Sequence, residues 1–199
     1  MKLRYLLAIT LAVATQSIGA YAAGVTFPGR SACLSQSKKW KIECQADKEY
    51  EGAYALMLED TSTGIKKEIF QGDRWCEVLW SQDESSIAIT DWLGSNCSDI
   101  SIQRVKKSGQ VGKLPDIIQS VPNIIPEEEL IGHCYREALY WDSIGRLYFR
   151  IFGHTDTNPS YGFIYYFRLD PKSGDSILIS KESGPNCNTE DKIYAERNK

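Results

Sequence analysis

Apolar and polar residues alternate along most of this chain in short runs rich in Tyr, Ile, Phe, Trp and Val, each closed by Gly, Ser, Asn, Asp or Pro. A 3.6-residue period is almost nowhere sustained, so the pattern predicts an all-β protein. Two kinds of hairpin recur. Leu34-Ser35-Gln36-Ser37 leads into Trp40-Lys41-Ile42-Glu43-Cys44, and Trp80-Ser81-Gln82-Asp83 into Ile87-Ala88-Ile89-Thr90. Leu139-Tyr140-Trp141-Asp142-Ser143, with a turn at Gly145, leads into Leu147-Tyr148-Phe149-Arg150-Ile151-Phe152. The second kind ends a strand at Asp60-Thr61-Ser62-Thr63-Gly64 and again at Asp170-Pro171-Lys172-Ser173-Gly174. There the aspartate accepts bonds from the turn's own amides, and the glycine takes the positive φ of a tight turn. Lys107-Ser108-Gly109 is a looser copy.

These hairpins divide the chain into units of about residues 32–70, 76–121 and 137–181, each a potential four-stranded antiparallel meander. The chain thus resembles β-propeller blades of the WD-like or TolB-like kind, in which a W-S-x-D turn joins the first two strands and D-x-x-x-G the last two. Trp80-Ser81-Gln82-Asp83 is the best match, although Gln82 stands for the usual Pro, Glu84 for the Gly, and Leu34 for the Trp of the first unit. Propellers usually close with about 4–8 blades. Three blade-like units therefore predict a small or incomplete propeller, a sandwich, or a ring closed by two chains. Outside the strands, Pro126 followed by Glu127, Glu128 and Glu129 suits a short helix near 126–132.

The N-terminus changes the compartment. Lys2 and Arg4 precede an apolar run from Leu6 to Ala14, and Ala20-Tyr21-Ala22 forms an A-x-A site, so residues 1–22 read as a cleaved secretory signal. The run is well short of the ~20 residues of a spanning helix, so no stable membrane insertion is expected after cleavage. Cleavage leaves a single β domain over 23–181 and a charged tail over 182–199. The formal charge of −3, from 26 acidic and 23 basic side chains, becomes −5 once Lys2 and Arg4 are removed. That balance disfavours nucleic acid. The expected location is the periplasm or the extracellular space. There, Cys33, Cys44, Cys76, Cys97, Cys134 and Cys187 read as disulfide candidates, with Cys33 expected to face Cys44 across a hairpin.

Chemistry is sparse. The chain lacks G-x-S-x-G, H-E-x-x-H and phosphate-loop patterns, and its two histidines, His133 and His154, limit general-base schemes. No catalytic residue, metal or cofactor is assigned. The polar loop Asp91, Trp92, Leu93, Gly94, Ser95, Asn96, Cys97, Ser98, Asp99 is longer than a hairpin requires, and the loop holding His154, Asp156, Asn158 and Tyr161 has the same character. Stacked blades would present both loops on one face, where Trp92 and Tyr161 are residue types common in interface hot spots. The competing reading is a plain long turn with Trp92 packed underneath. Calcium would find oxygens on Asp91, Asn96 and Asp99, but their spacing is not that of a calcium loop.

The expected function is therefore a non-enzymatic, protein-binding module. In architecture the chain is similar to the periplasmic immunity proteins that neutralise cell-wall-degrading amidase effectors. That resemblance implies a partner that is a secreted or periplasmic enzyme, blocked by insertion of the 92–99 loop into its active-site cleft. The alternatives are an envelope scaffold of propeller type and a hydrolase using His154.

Overall fold

The computed structural model describes residues 24–47, 50–114, 121, 124–185 and 187. The signal segment 1–22 and most of the expected tail lie outside the described residues. The protein is all-β, with three antiparallel sheets. Sheet 1 is β2 (Ala32–Leu34), β3 (Trp40–Ala46), β4 (Tyr54–Asp60) and β5 (Lys66–Gly72) in sequence order. Sheet 2 is β6 (Cys76–Trp80), β7 (Ser86–Asp91), β8 (Asp99–Val105) and β9 (Val111–Lys113), with β1 (Val25–Phe27) added beside β6. Sheet 3 is β10 (His133–Trp141), β11 (Leu147–His154), β12 (Gly162–Asp170) and β13 (Asp175–Gly184). A four-residue helix, α1 (Glu127–Leu130), follows Pro126 and stops where Ile131 turns extended. No helix among the described residues is long and apolar enough to cross a membrane.

Strand alternation sets the layers. In sheet 2, Val78, Ile87 and Ile89 share one face and pack with Trp40, Ile42 and Leu56 of sheet 1. Leu79, Ala88, Ile100 and Ile102 point the other way, into a core with Phe149, Ile151 and Phe167 of sheet 3. Sheet 2 is therefore the middle layer, apolar on both faces, which explains the unbroken burial of Ser86–Thr90 along β7. The Trp141 indole donates to the Leu79 carbonyl across the second core (3.2 Å).

The expected turns repeat in atomic detail. Ser35 and Ser81 are both buried, and their hydroxyls accept from the amides of Trp40 (3.2 Å) and Ser86 (2.9 Å). Three residues after Ser35, Ser81 and Asp142, the chain takes a positive φ at Lys38 (63°), Glu84 (57°) and Gly145 (81°). In the second kind of turn, the amides of Gly64 and Gly174 bond the carbonyls of Asp60 (2.7 Å) and Asp170 (2.8 Å). The looser middle copy closes a residue sooner, from Gly109 to Lys106. In a meander, all these turns fall at one end of the stack. The β3–β4, β7–β8 and β11–β12 loops therefore fall together at the other.

The cysteine expectation is corrected. None of the six cysteines is within disulfide distance of another. The register of β2 on β3 puts Cys33 opposite Ile42, while Cys44 pairs with Leu56, so Cys33 and Cys44 are diagonal neighbours rather than a facing pair. Diagonal neighbours are roughly 7–8 Å apart, with Cβ atoms somewhat closer but still beyond the ~4 Å of a disulfide.

Candidate functional site

The loop end is organised by the start of β10, whose outer edge would otherwise expose unpaired backbone groups. Sheet 2 covers it at alternate residues. The amide of Cys134 donates to the Asn96 carbonyl (3.0 Å), that of Arg136 to the Ser98 hydroxyl (2.8 Å) and that of Ala138 to the Thr90 hydroxyl (3.0 Å). The Ser98 hydroxyl in turn donates to the Arg136 carbonyl (2.7 Å). Cys97 and Cys134 form a parallel bridge between the two segments. Ser98, an expected contact residue, is thus fully buried and staples two sheets together.

Aromatic rings continue the same junction. Trp75 stacks on Trp92 (centroids 4.5 Å), Trp92 leans on Tyr135 (6.0 Å), and Tyr135 stacks on Phe152 (5.3 Å). The Tyr135 hydroxyl donates to the Ser95 carbonyl (2.5 Å), and the amide of Trp92 bonds the Trp75 carbonyl (3.3 Å). Trp92 is thus half-buried, with Trp75 and Tyr135 as its ring neighbours. What remains outward is the tip, where Leu93, Ser95 and Asn96 are exposed and Gly94 is half-buried.

Asp91 and Asp99 pair across the base of the loop and face sheet 1. With Ile69, Phe70, Leu93 and Ser101 they line a cleft of about 300 Å³ between sheets 1 and 2. Burial, aided by the carboxylates of Asp73 and Asp99, pushes Asp91 up to about 6. Asp99 is held by Arg136 on its other side (3.5 Å).

The β11–β12 loop is built on Thr155, whose buried hydroxyl receives the Asn158 amide (3.2 Å). Asn158 and Asp156 are exposed, and the Tyr161 hydroxyl reaches Ser183 (3.4 Å). His154 lies directly opposite His133 in the β10–β11 register, their rings stack with centroids 4.2 Å apart, and His133 Nδ1 sits 3.0 Å from Asp156 Oδ1. The two loops therefore flank one strand end.

Sequence reasoning missed Trp75, His133 and Tyr135 as parts of this end. The signal for His133 was the β10–β11 register, which requires the start of β10 to be placed first. Trp75 carries no signal of its own, since it stands in a connector whose position depends on how two sheets pack. No protein-family model matches the chain, and no curated protein matches it.

Proposed function

We propose that the chain is a non-enzymatic protein-binding module of the periplasm or extracellular space, and that its partner is a secreted or periplasmic enzyme, a cell-wall-degrading amidase effector that it inhibits. The observation that carries this reading is the cluster of exposed apolar groups at the loop end. Trp75, stacked on Trp92, is 45% exposed, Leu93 next to Trp92 in sequence is 52% exposed, and Ile131 is 62% exposed just before His133. Ser95, Asn96, Asp156 and Asn158 are exposed polar residues of the two loops at this end. Apolar anchors inside a polar rim are the anatomy of a protein interface.

The loop also suits insertion into a cleft. Its base is pinned by the Ser98–Arg136 bonds and by the Trp92 stack, so little conformational entropy is lost when the tip docks. Leu93 to Asn96 would enter the partner's active-site cleft and exclude substrate. The test is inhibition and direct binding of purified periplasmic amidases by the purified chain. Trp75→Ala and Leu93→Asp should each weaken binding by about 30-fold or more, as hot-spot substitutions do. Failure to bind or inhibit any amidase overturns the inhibitor reading.

A further inference from the structure

The sequence contains two histidines, and the fold brings both to one point. We infer that His133, His154 and Asp156 form a binding site for a divalent transition-metal ion of the zinc class. One ligand atom from each residue lies within 4.8 Å of the others. His133 Nδ1 and Asp156 Oδ1 are already 3.0 Å apart, close to the roughly 3.3 Å edge of a tetrahedral shell with bonds of about 2.0–2.1 Å. Bringing the third ligand to that shell takes up to about 1.5 Å of side-chain movement and a turn of one of the stacked imidazoles, available because Asp156 is exposed and both rings are only half-buried.

The backbone is shaped around this cluster. Gly132 has a φ of 87°, and a Cβ there would lie 2.5 Å from the Asp156 carboxyl. A side chain at Gly153 would overlap the His133 carbonyl. Gly132 therefore clears space for the Asp156 carboxylate, and Gly153 lets the His133 backbone pair closely with its strand. The cross-strand register places the two imidazoles on directly opposed strand residues, where they stack, while the loop supplies the carboxylate. The His154 Nδ1 side faces the Thr155 carbonyl (3.4 Å), an outer partner of the kind that orients a ligating ring and leaves Nε2 for the ion.

Two imidazoles and one carboxylate select zinc, cobalt or nickel over calcium and magnesium, which prefer all-oxygen shells. Three protein ligands leave a coordination position open toward solvent. The site needs no partner, so its test is separate from the test of protein binding.

Zn²⁺ titration of the purified chain by calorimetry, and Co²⁺ titration followed by visible absorption, decide it. One ion per chain is expected, with a tetrahedral Co²⁺ spectrum free of the thiolate charge-transfer band that cysteine ligation would give. His133→Ala and His154→Ala should each weaken Zn²⁺ binding by about 100-fold and Asp156→Asn by about 10-fold, and all three should remove the Zn²⁺-induced rise in Tm. Melting of the metal-free variants at the wild-type Tm separates ligand loss from misfolding. Absence of stoichiometric binding, affinity unchanged by His154→Ala, or a thiolate band overturns the inference.

Discussion

Arg150 is the largest fully buried side chain among the described residues, and it lies directly opposite Glu137 on the β10–β11 ladder. Its Nε donates to Glu137 Oε2 (2.8 Å), a second guanidinium nitrogen bonds the same oxygen, and the cation sits 4.6 Å from the Phe152 ring centre. Removing one partner strands the other charge away from water, so Arg150→Met should cost about 3–5 kcal/mol in urea unfolding. The double change Arg150→Met with Glu137→Leu should recover most of that loss. A double variant as unstable as the single one would refute the pairing argument. Asp91 gives a prediction of the opposite sign. Its folded value of about 6 lies above its ordinary value of 3.8, so the stability it contributes is fully present below about pH 4 and lost as pH rises through 6. Asp91→Asn should therefore stabilise the protein at pH 7, with solvent screening at this half-exposed group holding the gain to about 1 kcal/mol. The gain should fade on acidification toward pH 4. A gain independent of pH would point to packing instead of charge.

Among the elements, the turns were legible because each needs particular residues locally. Serine hydroxyls that close a hairpin, and aspartates four residues before a glycine, are chemical demands a sequence displays without its partners. Cross-sheet features were not legible, because they depend on register. Cys33 facing Ile42, Ser98 turned inward under β10, and the pairing of β1 with β6 all follow from how distant strands meet. The loop residues illustrate both cases: their grouping at one end followed from counting strands, while the division between the buried Ser98 and the exposed Asn96 did not. The turn repeat yields its own test at Lys38, which occupies the left-handed position held by Gly145 in the third unit and is exposed. Lys38→Gly should relieve that conformation and raise stability by about 0.5–1 kcal/mol in thermal or urea melts. Ser98→Ala should do the reverse, costing about 1–3 kcal/mol by leaving the Arg136 amide and carbonyl without their hydroxyl partner. If Ser98→Ala instead preserves stability, the staple between sheets 2 and 3 is not what holds the loop.

At the scale of the molecule, stability rests on the middle sheet, because both cores are built against it. Its β6 edge is covered by β1, three residues whose register places Val25 beside Val78 and Phe27 beside Cys76. Phe27 is wholly buried in the core shared with sheet 1, so this short strand acts as an edge cover and a core plug together. The expected cleavage after Ala22 would leave it intact. A chain beginning at Ala23 should thus unfold at the same urea midpoint as the full chain. One beginning at Gly29 should lose both the β6 pairing and the Phe27 side chain, and should unfold at a much lower midpoint or aggregate through the bared strand. Phe27→Ala in the longer chain isolates the plug from the cover and should cost about 3–5 kcal/mol by leaving a cavity between sheets 1 and 2. The buried thiol beside it reports the same event. Cys76, pushed up to about 11 mainly by burial, should resist alkylation at pH 8 in the intact protein and react readily once β1 is removed. Rapid labelling of Cys76 in the chain beginning at Ala23 would show that β1 does not close this core.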